Sequence, residues 1–207
     1  MTSTPPILPR AAVRGIGGTL LLMALFTTAW AGIANAGLQG ADNYFHLTVC
    51  SLLSLVFIIY GIRLLLSARR FPKSRSAEDL ITGKKMGKAY AIVFGIEGVA
   101  IGAASAILGI SGHGEYVLPA IALIVGLHFY PFARIFNRKV DYYIASWTCG
   151  VALGAIFATY NNSRPQAFIM AFLGIGVSVA TIGYGLYTLR YARSFNLISG
   201  ILNKRRV

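Results

Sequence analysis

Two ionisable residues stand deep inside apolar runs of this chain, and their types suit proton chemistry. Glu97 lies nine residues past Lys88, and His128 lies nine residues before Asn137. At 1.5 Å per helical residue, both sit about 13 Å from the same end of their segments. Ionisable side chains at such depth are costly and usually meet a partner, a bundle interior or a water path. Consecutive helices with matched depths would bring this pair together. A carboxyl beside an imidazole can exchange a proton near neutral pH. The structural reading of the same pair is an interhelical hydrogen bond, typically worth about 0.6–2 kcal/mol.

Other residues extend the chemical inventory. In "HFYPFAR" (128–134), Pro131 removes the helical hydrogen bond to the Leu127 carbonyl, which predicts a kink beside His128. Asp42 and His46 are spaced i, i+4, and "HGE" supplies His113 and Glu115. These four would offer a divalent metal oxygen and nitrogen ligands if their two loops met. The chain has no G-x-S-x-G, no H-E-x-x-H and no phosphate-binding glycine loop, so no catalytic residue is assigned and no cofactor is implied.

The elements that must position these residues are membrane helices. The 207 residues are 56% hydrophobic and only 12% charged, against roughly 25% charged in soluble domains. Six apolar runs, approximately 15–37, 44–67, 88–110, 116–136, 142–161 and 166–189, are each long enough to cross about 30 Å of hydrocarbon. Backbone amides in lipid must bond within their own segment, so the fold class is an all-α integral membrane protein with six transmembrane helices in one domain, 1–207. The run 15–37, preceded by Arg10 and Arg14 and ending in "ANAG", also mimics a secretory signal peptide. Its apolar core of about 19 residues exceeds the usual 7–15, which favours a retained helix. Cys50 and Cys149 fall inside predicted helices and read as packing residues.

A net charge of +13 invites a nucleic-acid reading, but its distribution argues for topology. Basic residues cluster before the first run, in the loop 68–87, at Arg138 and Lys139, and after the sixth run; the alternate loops contain only Arg164. That alternation places both termini in the cytoplasm, with the basic face toward anionic lipid headgroups. The expected location is a plasma membrane, the bacterial inner membrane type. Expected partners are the bilayer and a second copy or a partner membrane subunit, with no nucleic acid. "SAED" (76–79) reads as a cap for a short basic interfacial segment.

The even-numbered runs end alike: "YGIRLLLSARRF" from Tyr60, "VGLHFYPFARIF" from Val125 and "YGLYTLRYARSF" from Tyr184. Their glycines, Gly61, Gly126 and Gly185, are 65 and 59 residues apart, and each precedes an Ala-Arg pair at the same interval. This self-similarity predicts three two-helix hairpins, 1–75, 76–140 and 141–200, related by an axis along the membrane normal. The glycines, with Gly98, Gly102, Gly150 and Gly154 on odd helices, are expected to pack helices closely. At the position of His128 the repeats carry Arg63 and Tyr187, so these four polar residues, Glu97 included, form the expected polar centre. The alternatives are snorkelling for Arg63 and an interfacial role for Tyr187.

"TIGYG" (181–185) resembles a potassium-filter loop by one substitution, yet it sits near the basic end of the last run with no further span behind it. The match is accidental. Three hairpins is also the plan of mitochondrial carriers, but no odd run here carries their Pro-x-[Asp/Glu]-x-x-[Lys/Arg] motif. The function these residues predict is a transporter or conducting pathway for an ion or small solute. A structural or accessory subunit is the alternative, and an intramembrane enzyme using Glu97 and His128 as acid and base is a weaker third.

Overall fold

A computed structural model describes residues 8–73 and 77–194. Six helices carry the chain: α1 (Arg10–Leu38), α2 (Phe45–Ser67), α3 (Ala77–Ile110), α4 (Val117–Phe136), α5 (Lys139–Tyr160) and α6 (Gln166–Ser194). All six include a stretch long and apolar enough to cross a membrane, and the described residues contain no strand. Six helices in sequence leave the start of α1 and the end of α6 at one end of the bundle, opposite the α1–α2, α3–α4 and α5–α6 connections. The proposed cap at Ser76 lies outside the described residues. The basic segment after it is continuous with α3 instead of forming a separate surface helix.

Local chemistry explains where the helices stop. Asn137 ends α4 with φ 49°, a left-handed conformation that asparagine tolerates better than most residues. The Asp42 carboxylate opens α2, accepting from the backbone N–H of Tyr44 at 3.1 Å and of His46 at 2.9 Å. Pro131 sits within α4, and the helix runs on through it to Phe136.

The helices pack in the order α3, α4, α5, α6, α1, α2, curled so that α2 and α4 also touch α6. The most extensive interface joins α1 to α6, which is the most buried helix; α3 is the least buried. No comparable interface joins α2 to α3, the pair with the longest connection.

Close approaches depend on glycine, only partly at the expected positions. A side chain at Gly37 would collide with the backbone of Ala167 and Ala171, and one at Gly174 with the backbone of Ala34 and Trp30. Gly17 and Gly61 face each other, each leaving room for the other's carbonyl. Gly126 abuts Cys149 of α5, and Gly185 abuts the Phe57 ring of α2. Gly154 has ordinary contact with Phe172, whereas Gly98, Gly102 and Gly150 face open space. For the α3 glycines the reason is that α3 packs chiefly on α4, along another face of the helix. The three glycines of the recurring helix ends thus meet α1, α5 and α2, which are inequivalent partners.

Buried hydroxyls add a polar stitch across the main interface. Thr27 of α1 and Thr181 of α6 lie 2.8 Å apart, and Thr181 also donates to the Ser178 carbonyl at 2.9 Å. Thr27→Val keeps the shape and leaves Thr181 that second bond. It is expected to cost about 0.6 kcal/mol, read by equilibrium unfolding in mixed micelles. An unchanged midpoint would show the contact to be incidental.

Candidate functional site

The short α3–α4 connection sets these helices antiparallel and brings Glu97 and His128 level. Their side chains are 8% and 9% exposed, and His128 Nδ1 lies 3.1 Å from Glu97 Oε1. The contact is one of charge and proximity, since neither His128 Nδ1 nor Glu97 Oε2 has a directed hydrogen bond among the described residues. Aromatic rings enclose the imidazole: Phe129 at 4.2 Å, Phe132 at 5.1 Å and Phe94 at 5.7 Å between centroids. As carboxylate and imidazolium, or as acid and imidazole, the pair holds no net charge.

His128 and Gly126 are two residues apart, about 200° around a helix, and the packing uses both directions. Gly126 faces α5 while His128 faces α3, so α4 is held between them. The polar side chain points into an interhelical contact, away from the glycine seam.

A second polar cluster lies beside this one and was not anticipated. Asp141, in the first turn of α5, is fully buried. Arg138 donates from Nε to Asp141 Oδ2 at 3.1 Å and from a terminal nitrogen to the Tyr184 hydroxyl at 2.7 Å. Its guanidinium lies 4.6 Å from the Phe136 ring centroid. Asp141 Oδ1 has no hydrogen-bond partner among the described residues. The Tyr184 ring meets Phe129 at 5.4 Å, and Phe129 stacks on His128, so the clusters share one aromatic wall. Arg138, 31% exposed, is the outermost member and Glu97 lies deeper. Two signals for this cluster were present in the sequence: the i, i+3 spacing of Arg138 and Asp141, and a tyrosine in the discounted "TIGYG".

Other predicted site residues fall elsewhere. Arg63 is exposed on α2, which packs on α1 and α6, and it makes no ion pair with Glu97. Tyr187 is half-buried with its ring 6.4 Å from Tyr184, beside the second cluster. His46 Nε2 lies 3.1 Å from Ser178 Oγ and 3.5 Å from Cys50 Sγ, tying α2 to α6. His113 pairs with Ser111 at 3.2 Å. Among the described residues, no three His, Cys, Asp or Glu side chains gather as metal ligands would, those of Asp42, His46, His113 and Glu115 included. Asp42 is already engaged in opening α2.

No family model, curated protein or solved structure matches the chain.

Proposed function

We propose that the chain is an integral membrane transporter or conducting pathway whose proton-exchanging element is the Glu97–His128 pair, approached from the side of the chain termini through Arg138, Asp141 and Tyr184. The observation that carries this reading is a carboxylate and an imidazole 3.1 Å apart, nine-tenths buried, with one carboxylate oxygen unpartnered. A pair held only for packing would be expected to use its full bonding capacity. Glu97 Oε2 and Asp141 Oδ1 instead leave two buried acceptors for a proton, water or a cation. The recurring helix ends support three related hairpins, and the basic residues support termini on the cytoplasmic face of a plasma membrane, next to anionic headgroups.

The test is proton and cation flux in proteoliposomes. Glu97→Gln and His128→Ala, each folded by thermal unfolding, are expected to fall to the background of empty vesicles. Wild-type flux retained in both variants would remove the pair from the pathway.

One observation favours the accessory-subunit reading. The α3 positions Gly95, Gly98 and Gly102 are open, and this helix packs mainly on α4. A partner membrane helix or a second copy resting there would give the small-residue surface its use. Co-purification of a fixed partner, together with no flux in the wild type, would favour this reading over transport.

A further inference from the structure

Between α5 and α6 runs a cleft of about 680 Å³, bordered at one end by Leu38, the last residue of α1. Its walls include Trp147, Gly150, Phe168, Phe172 and Val179. Its two polar side chains are already engaged. The Trp147 indole N–H donates to the Gly176 carbonyl at 2.8 Å, and Ser146 Oγ pairs with the Tyr130 hydroxyl at 3.1 Å. What remains is an apolar channel that suits hydrocarbon and offers little to a polar solute.

Length and charge identify the occupant. Eleven residues separate Phe168 from Val179, about 16 Å along a helix, close to half of the roughly 30 Å hydrocarbon thickness. That is the reach of an acyl chain within one leaflet. At the entrance, the Arg164 guanidinium lies 5.3 Å from the Phe168 ring centroid. Arg164 is the lone Lys or Arg in the three connections at that end of the bundle. A fixed cation at the water boundary, continuous with an apolar channel one leaflet deep, matches a phosphate joined to a chain.

We infer that this cleft is a phospholipid site, with the phosphate at Arg164 and one acyl chain lying from Phe168 to Val179. Gly150 keeps the cleft open at its middle, since a Cβ there would meet no protein atom within 4 Å. The inference rests on the membrane-embedded part of the proposed function and is independent of transport.

The same open space suits a test by Gly150→Leu, whose Cβ meets no protein atom within 4 Å and whose branch extends into the cleft, with folding checked by thermal unfolding. Delipidated protein would be titrated with phosphatidylglycerol and bound lipid counted by native mass spectrometry. Wild type is expected to hold one lipid tightly, with Gly150→Leu and Arg164→Gln each about tenfold weaker. Diacylglycerol, which lacks the phosphate, should lose affinity in Gly150→Leu but not in Arg164→Gln. Inorganic phosphate alone should not compete. Equal phosphatidylglycerol binding by all three proteins would overturn the site. So would a wild-type dimer that Gly150→Leu converts to monomer, since a second copy would then fill the cleft. Failure of the membrane reading would appear separately, as a wild-type chain that stays in solution without detergent.

Discussion

Replacing Arg138 with alanine is expected to cost the fold about 3 kcal/mol, near the lower end of what breaking a buried ion pair costs. The lower end applies because the Arg138 side chain is 31% exposed, so water screens part of its charge. Its partner has no such relief. Asp141 is fully buried with one oxygen already unpartnered, and the variant would take the charged donor from the other, leaving only the neutral Tyr184 hydroxyl beside it. The Tyr184 hydroxyl would lose the same donor. Thermal unfolding in detergent, followed by circular dichroism, measures the loss. Arg134→Ala is the comparison, an exposed arginine in the last turn of α4. The double variant Arg138→Met with Asp141→Leu is expected to recover most of the stability, because an apolar pair leaves no stranded charge. Equal effects of the two single arginine variants would show that the cluster does not hold α5 against α6.

The second large effect is expected at the α1–α6 crossing. Gly174→Leu would drive a side chain into the backbone of Ala34, where no rotamer change can make room. Overpacking typically costs about 1–3 kcal/mol, and a collision with backbone belongs at or above the top of that range. Gly183 of the same helix is the control, since a Cβ there meets nothing within 4 Å. Leucine improves on glycine in helix propensity by about 1 kcal/mol, so Gly183→Leu is expected to be neutral or stabilising. The difference between the two variants isolates the crossing. Comparable folded yield and melting temperature for both would mean that α1 and α6 can separate without harm.

The sequence made the helices legible because crossing hydrocarbon demands long, mostly apolar runs, and the six runs match the observed helices with no overhang greater than one residue. The Glu97–His128 contact was legible for a related reason: matched depth on consecutive helices with a short connection leaves few other partners. Asp141 was harder to read. It stands where a polar loop was expected to become a helix, and whether such an acid is buried depends on α6, far away in sequence. The glycine spacings showed where a helix permits close approach but not which helices have a neighbour there. Gly98-x-x-x-Gly102 is therefore open, while Gly37 and Gly174, each without a conspicuous motif, form the tightest crossing. At the outer connections the visible role of Asp42 is local, since its carboxylate serves the start of its own helix.

The pairing of α1 with α6 bears on how the molecule is made. The largest surface of α1 waits for a helix synthesised after the other four, so until α6 arrives Ala34 and Gly37 lack the neighbours they have in the finished fold. The order of packing then differs from the order of insertion. Contacts between α1 and α2, and between α4 and α5, can form as their helices arrive, whereas the central contact closes only once α6 enters. During that interval the narrow glycine surface of α1 is open to whatever helix of another protein passes by. A chaperone or insertase that shields it would act on a surface that the finished protein no longer presents.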